Sequence, residues 1–216
     1  MNTLIVLAGL PRFSDQTRGS FRNHILKPFQ AMSDVYVSIS CYEEHLDAWK
    51  KVDLGAETQF GVSDASKTYK DSIFAEGPLE YSVGYFHQYN NLYWAHRNAI
   101  AFGIPFDNVL KTRLDFLYTS DFPTELSDDP SAIHIPAIEF HQTDPFDPDL
   151  ICNDQLLFGN ARFMKTYFGM VYDREFPLGS FQHGPNLGIE RILREYLRFR
   201  NVPINPFIGF RYLKEW

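Results

Sequence analysis

The chain alternates short apolar runs with longer amphipathic stretches, and this alternation is the strongest constraint on its fold. Its first run, residues 3–8, is continuously apolar and ends in a sharp turn at Gly9, Pro11 and Arg12, as expected of a buried first strand. A β-branched, alternating run at 34–40 predicts a second strand. This pattern predicts an α/β fold in which a mostly parallel central sheet carries helices on both faces.

Apolar residues at helical spacing predict four helices, of which the third carries Phe163, Met164 and Tyr167 and the last starts near Pro185. The first follows Ser20, a residue type that caps helices, and Pro28 is expected to kink or shorten it. Its apolar positions are Phe21, Ile25 and Phe29. The second spans about 78–103, between a proline and a glycine, and one stripe of side chains faces the core. That stripe consists of Tyr81, Tyr85, Tyr89, Leu92, Tyr93, His96 and Ile100.

Length, charge and cysteine content limit the class of protein. A chain of 216 residues can bury one large core without disulfides or metals. Its net charge of −7, with no run of Lys or Arg, argues against a partner with a nucleic-acid backbone. Cys41 and Cys152 form no CxxC motif, which favours a reducing compartment, and no apolar run approaches the roughly 20 residues of a membrane span. We expect a cytoplasmic protein, and its 16% aromatic residues suit a cleft that stacks sugars or bases.

The segment 108–116, NVLKTRLDF, is the most informative one for chemistry. As a single strand it places Lys111, Arg113 and Asp115 on one face, with apolar residues on the other. Ligands of open α/β sheets bind beyond the carboxyl ends of the strands, which is where Asp115 is expected. A carboxylate there can hold a divalent cation, and the forked guanidinium of Arg113 can contact a phosphate. A structural ion pair is the alternative interpretation.

Other candidate residues lie in the second half of the chain. Asp154 interrupts an apolar segment, so it is a candidate general base or metal ligand, with a helix cap or turn as the alternative. His183 precedes the last predicted helix, where an imidazole can ligate a metal and backbone amides can meet an anion; solvation alone is its alternative. Glu190 on that helix is a weaker candidate.

The turn after the first strand is a candidate nucleotide site because many nucleotide-binding α/β domains receive the base or phosphate there. Its sequence, LAGLPR, is not a GxGxxG fingerprint, and the chain has no GxxxxGK[ST], HExxH or GxSxG motif. Rossmann dehydrogenases, P-loop enzymes, zinc proteases and α/β hydrolases therefore lose their usual sequence support.

Five segments, in this order, carry a family resemblance: LIVLAGLPR, DVYVSIS, NVLKTRLDF, NDQLLFG and HGPNLGIERILREYL. Together they span most of the chain and resemble a family of bacterial and large-virus glycosyltransferase-like proteins that make surface polysaccharides. KTRLD and NDQLLFG are the most specific of these matches. The resemblance implies a single GT-A type domain, with a donor nucleotide-binding half at about 1–118 and an acceptor-side half at about 119–216. If the protein is encoded by a large virus, the resemblance implies that it acts in the host cytoplasm.

The resemblance also implies roles for residues. Asp115 takes the place of the last acid of the DxD motif, which ties a divalent metal, Mn²⁺ or Mg²⁺, to the donor diphosphate, and His183 completes that site. Arg113 departs from the motif because it stands where the first acid usually lies. Asp154 is the catalytic base and Asn153 its acceptor-binding neighbour, together with Glu190. The implied donor-binding residues are Gly9, Arg12, Lys111, Arg113 and Asp115.

The predicted function is therefore the metal-assisted transfer of a sugar from a nucleotide diphosphate, a uridine diphosphate sugar, to a glycan acceptor. Two alternatives stay open. The aromatic content and the missing first acid of DxD also suit a non-catalytic carbohydrate-binding module. A different nucleotide-using enzyme, such as a sugar-phosphate nucleotidyltransferase or a methyltransferase, is possible on the same type of sheet because fold does not fix function.

Overall fold

The computed structural model describes residues 1–8, 10–63, 69–76, 79–136, 155–178 and 189–214. Within these ranges the first half of the chain alternates strands with helices, and β4 to β7 then follow one another with no α-helix among the described residues. The strands are β1 (Asn2–Ala8), β2 (Asp34–Cys41), β3 (Glu57–Val62), β4 (Asn108–Thr112), β5 (Phe116–Tyr118), β6 (Ile133–Pro136), β7 (Leu157–Asn160), β8 (Ile204–Phe207) and β9 (Tyr212–Lys214). The α-helices are α1 (Asp15–Phe21), α2 (Lys27–Gln30), α3 (Glu43–Lys50), α4 (Leu79–Asn98), α5 (Ala161–Gly169) and α6 (Ile189–Phe199).

Seven strands form the central sheet in the order β3-β2-β1-β4-β7-β6-β8. β3, β2, β1 and β4 are parallel, whereas β7 is antiparallel to both β4 and β6. β5 and β9 form a separate antiparallel pair. The chain leaves β1 for β2 on one side and later returns to β4 on the other, so the strand order reverses between β1 and β4. Ligands of open α/β sheets bind at such a point.

Hydrophobic cores cover both faces of this sheet. Side chains of β1 alternate between them: Leu4 and Val6 face the core that includes residues of α4, α5 and α6, while Ile5 and Leu7 face the core on the other side. All four are at most 1% exposed. α1, α2 and α3 contribute to the second core, through residues such as Phe21, Phe29 and Trp49. The predicted fold class, a mostly parallel sheet with helices on both faces, is confirmed.

The first helix begins earlier than predicted and changes its winding. Its cap is Ser14, which accepts a hydrogen bond from the Thr17 N–H while the Thr17 side chain bonds back, so the prediction of Ser20 as cap was wrong. A π-helical turn, Arg22–Leu26, separates α1 from α2. Pro28 has no N–H to offer the His24 carbonyl, which accepts the Phe122 N–H instead (2.8 Å). Phe21, Ile25 and Phe29 are fully buried, as their spacing predicted.

The segment NVLKTRLDF is not one strand, which corrects the prediction. β4 ends at Thr112, the chain bends, and β5 begins at Phe116 in the other sheet. Tyr118 accounts for the bend: its buried hydroxyl donates to the Arg113 carbonyl and lies 2.7 Å from the Thr112 hydroxyl. The strict alternation of faces expected at 108–116 therefore stops at the end of β4.

The stripe on the long helix is correct at its centre and wrong at its carboxyl end. Tyr89 and Leu92 are at most 1% exposed, but Ile100 is 73% exposed. α4 ends at Asn98 and the next residues form a tighter 3₁₀ turn, Ala99–Phe102, so the 3.6-residue spacing no longer applies. Gly103 closes the turn with a positive φ of 69°. In the described part of the chain, no helix has the length and apolar character needed to cross a membrane.

Candidate functional site

A cavity of ≈ 500 Å³ lies beyond the carboxyl ends of β1 and β4, where the strand order reverses. Its floor is formed by the end of β4 and the bend that follows, and α3 and α4 provide its walls. The floor residues are Lys111, Thr112, Arg113, Leu114 and Asp115, with Ala8, Leu10 and Arg12 from the end of β1 and the turn after it. The wall residues are Tyr42, Glu44, His45, Trp49, Gly84, His87, Gln88, Asn91 and Leu92.

Arg113 and Asp115 form a forked ion pair on the floor. Arg113 Nε donates to Asp115 Oδ1 at 2.8 Å and Nη2 donates to Oδ2 at 2.6 Å. Both residues lie in the bend between β4 and β5, two positions apart in the chain. Both are partly buried, with the Arg113 side chain 29% and the Asp115 side chain 14% exposed. The pair neutralises the floor's carboxylate.

Lys111 and Arg12 add positive charge near this pair. Lys111 is 2% exposed and belongs to β4, paired in register with Val6 on one side and Leu157 on the other. Arg12 is exposed and lines the cavity beside Leu10. Counted as fully ionised, the cavity lining has three cations, which are Arg12, Lys111 and Arg113, and two carboxylates, which are Asp115 on the floor and Glu44 on the wall. The excess of one positive charge favours an anionic ligand.

Rings and amides, rather than charges, make up most of the opposite wall. Trp49 is 2% exposed and packs against Phe13, with ring centroids 5.4 Å apart. The Tyr42 hydroxyl hydrogen-bonds His87 Nδ1, and the two rings meet edge to face at 5.3 Å. Burial raises the pKa of Tyr42, so its hydroxyl stays protonated at neutral pH. Asn91 is fixed from behind: its Oδ1 accepts the Ser63 hydroxyl.

The described residues do not form a metal site as they stand. Both oxygens of Asp115 accept N–H groups of Arg113, and no group of three or more His, Cys, Asp or Glu residues in the described ranges could hold a metal ion. Divalent Mg²⁺ and Mn²⁺ prefer oxygen ligands such as carboxylates. His183, the second ligand implied by the resemblance, lies outside the described residues.

The structure brings together four of the residues expected from sequence and separates one. Arg12, Lys111, Arg113 and Asp115 line the same cavity. Glu190 is exposed in the first turn of α6 and does not line it. The remaining predicted residues, which are Gly9, Asn153, Asp154 and His183, lie outside the described residues.

The wall of the cavity was missed by sequence reasoning. Tyr42 and Trp49 belong to α3 and the residue before it, in a stretch too polar to show a clear periodicity. His87 and Asn91 lie four residues apart on α4, so their shared face was recognisable, but the aromatic stripe beside them was the stronger pattern.

Cys41 is buried, and burial together with Glu44 raises the pKa of its thiol to about 11. It is therefore a neutral core side chain.

No protein-family model and no curated protein matches the sequence. Similar folds occur among solved structures. The 4-diphosphocytidyl-2C-methyl-D-erythritolsynthase of Anaerococcus prevotii DSM 20548 is similar with a TM-score of 0.54 and 10% identity, over 96% of this chain and 88% of that one. The nucleoside-diphosphate-sugar pyrophosphorylase of Vibrio cholerae RC9 gives 0.53 and 12%, over 96% and 91%. At such identities the likeness shows that the three chains share a fold.

Proposed function

We propose that this protein is a glycosyltransferase that takes a sugar from a nucleoside diphosphate, uridine diphosphate in the first instance, and passes it to a glycan acceptor. One observation carries the proposal: a cationic floor and an aromatic, amide-bearing wall enclose the same cavity at the point where the strand order reverses. A nucleotide sugar has the matching parts, because its diphosphate is anionic and its base is flat with hydrogen-bonding edges.

The floor supplies what the departing diphosphate needs. In the transfer, the acceptor oxygen forms a bond to the anomeric carbon while the bond from that carbon to the phosphate oxygen breaks, and negative charge develops on the diphosphate. Lys111 and Arg113 are 2% and 29% exposed, so their charges act more strongly than they would in water, and they stabilise the departing diphosphate. The acceptor hydroxyl must also lose a proton. Asp154 remains the predicted base for that step, from its sequence position and family resemblance.

The wall supplies a place for the base. Tyr42, which is partly exposed, gives ring surface, and the side chains of Gln88 and Asn91 give hydrogen-bonding groups at the same wall. Small-molecule sites are typically of this kind, mostly apolar with a few well-placed polar groups, and ≈ 500 Å³ is within their usual range. In this arrangement the nucleotide base lies against α3 and α4, and the diphosphate lies at the bend after β4.

A nucleotidyltransferase is the second candidate, and the shared fold favours it. One similar structure is named a nucleoside-diphosphate-sugar pyrophosphorylase and the other a diphosphocytidyl-methylerythritol synthase. Such an enzyme would use the same cationic floor but would begin from a nucleoside triphosphate and release pyrophosphate. The KTRLD and NDQLLFG segments favour the glycosyltransferase.

The first experiment follows binding and products together. Thermal unfolding of the whole protein is recorded with UDP, GDP and CDP, each with Mn²⁺ and with a chelator, because a ligand of the folded state raises the midpoint. A glycosyltransferase is expected to be stabilised by one diphosphate and to convert the matching nucleotide sugar slowly to free diphosphate, with water as acceptor. Release of pyrophosphate from a nucleoside triphosphate and a sugar phosphate would identify the nucleotidyltransferase instead.

A variant connects the outcome to the cavity. Lys111→Met retains most of the volume of the side chain and removes its charge, so it is expected to weaken diphosphate binding about tenfold or more, the size of one charge-assisted contact. Lys27→Met, on the exposed side of α2, is the control and is expected to bind normally. If no nucleotide stabilises a folded sample but an oligosaccharide does, the protein is a carbohydrate-binding module and the proposal fails.

A further inference from the structure

Arg113 is held on three sides at the cavity floor. Asp115 engages its Nε and Nη2 groups at 2.8 and 2.6 Å, and its guanidinium carbon lies 5.3 Å from the centroid of the Phe116 ring. Nη1 makes a longer contact of 3.4 Å with Gln155 Oε1. A guanidinium confined by a forked carboxylate and a ring face loses little further freedom when it meets a ligand.

The backbone beneath Arg113 is fixed as well. Tyr118 is 1% exposed and donates a hydrogen bond to the Arg113 carbonyl, while the Thr112 and Tyr118 hydroxyls lie 2.7 Å apart. Tyr118 N–H in turn donates to Ser20 Oγ on α1 at 3.1 Å. The bend that aims Arg113 at the cavity is thus tied to the core by buried hydrogen bonds.

Asp115 is committed to this arrangement. A carboxylate that accepts a forked arginine uses one lone pair on each oxygen, directed at the guanidinium plane. A divalent cation bound at the same oxygens would stand beside the guanidinium and repel it. Because the ion pair is partly buried, the repulsion would be screened less than at a surface.

We infer that Asp115 positions Arg113 for contact with the diphosphate and does not serve as the ligand of a divalent metal. The inference rests on the proposed function, since it assumes that a nucleoside diphosphate occupies the cavity. This interpretation of KTRLD differs from that of a DxD motif. Arg113, at the position of the first acid, binds the phosphate, and Asp115, at the position of the last acid, orients Arg113. Asp115 is accordingly a positioning residue.

The chain contains a matched control for this ion pair. Arg200 and Asp173 form a second forked pair, with Nε to Oδ2 at 2.6 Å, at the end of α6 and after α5. Its side chains are 30% and 12% exposed, almost the same as the 29% and 14% of Arg113 and Asp115. Neither residue lines the cavity. Asp173→Asn therefore measures the general cost of disrupting a partly buried ion pair.

The test compares each nucleoside diphosphate with its nucleoside by calorimetry, for UDP, GDP and CDP, with a chelator and with Mn²⁺. In Asp115→Asn the amide turns an NH₂ group towards a guanidinium N–H and breaks the fork. We expect the diphosphate affinity to fall about tenfold, by the same factor under both conditions, with nucleoside affinity unchanged. In an Arg113→Ala background, Asp115→Asn should cause no further loss, since the two act through one contact. Asp173→Asn should bind like the wild type.

Each contrary outcome has one meaning. If the wild type binds the diphosphate only with Mn²⁺, and Asp115→Asn removes only the Mn²⁺-dependent part, then Asp115 is a metal ligand and the inference is wrong while the proposed function stands. Should Asp115→Asn not fold, Arg113→Ala takes its place: a loss of diphosphate affinity that is the same with Mn²⁺ and with the chelator supports the inference, and unchanged affinity contradicts it. If no diphosphate binds the wild type with or without Mn²⁺, the proposed function fails, and the inference fails with it.

Discussion

A single hydroxyl, that of Tyr118, links the stability of the protein to the geometry of its cavity. It is buried and bonds to both residues that begin the bend after β4. Burial raises the pKa of this phenol far above its ordinary value, so it remains a neutral donor at all physiological pH values. At the residue scale, then, the fold controls the site through hydrogen bonds to backbone that carries the ligand-binding side chains.

Replacing Tyr118 with Phe should reveal both effects. The ring still fills its space, but the Arg113 carbonyl loses its buried donor, so we expect unfolding to require about 1–3 kcal/mol less free energy. Diphosphate affinity should fall as well because Arg113 is no longer fixed. Urea unfolding and calorimetry measure the two quantities. Tyr36→Phe, near the amino end of β2, is the control; an equal loss of affinity in that variant would show a non-specific effect.

Elements were predictable where periodicity dominates their sequence. β1 and most of β2 are buried on both faces, the central turns of α4 are buried along one stripe, and all three followed from the apolar pattern. The end of β4 was not predictable, because the bend depends on Tyr118, a residue in another strand. α3 was missed since its burial rests largely on Trp49, a single residue in a polar helix. The floor of the cavity was found because it follows a predicted strand. The part of the wall on α3 was missed because α3 shows no clear apolar periodicity.

The packing of α4 on α5 carries a pH dependence of its own. His96 on α4 stacks on Phe168 of α5, with ring centroids 4.8 Å apart. Burial, with the nearby charges of Lys165 and Arg97, lowers the pKa of His96 from 6.5 to about 4. In the unfolded chain this histidine takes up a proton below its ordinary pKa, whereas in the folded protein it does so only below about 4. Its stabilising effect is therefore complete above the higher value and is lost as the pH falls through this window.

We expect His96 to account for roughly 2 kcal/mol of the stability lost between about pH 7.5 and about pH 5. His96→Leu keeps an apolar contact with Phe168 and cannot titrate. Its urea midpoint should vary less with pH than that of the wild type, and the variant should gain roughly 2 kcal/mol of stability relative to the wild type between about pH 7.5 and about pH 5. His45→Gln, on α3, is the control. If the urea midpoint of His96→Leu depended on pH in the same way as that of the wild type, His96 would titrate normally in the folded protein.

At the scale of the whole molecule, the donor and acceptor halves proposed from sequence are joined within one sheet. β7, from the second half, pairs with β4 from Asn108 opposite Asn160 to Lys111 opposite Leu157. Leu157 then enters one core and Phe158 the other. β5 likewise pairs with β9, close to the end of the described chain. Each core contains residues from both halves. The boundary near residue 118 therefore separates only the proposed donor and acceptor roles.

This arrangement predicts that the protein unfolds as one cooperative unit. Trp49 belongs to one core, and Trp94 is a partly buried residue of α4, the helix whose Leu92 and Ala95 belong to the other core. In variants that retain one of the two, with Trp216 also replaced by Phe, urea unfolding followed by fluorescence should give coincident midpoints. Residues 1–118 expressed alone should show no cooperative transition, because β4 would expose an unpaired edge and both cores would lack the side chains of β7. Separate midpoints, or a folded fragment, would show two independent units. If the midpoints coincide, a ligand of the cavity must stabilise both cores equally, since binding to the folded state shifts the whole transition.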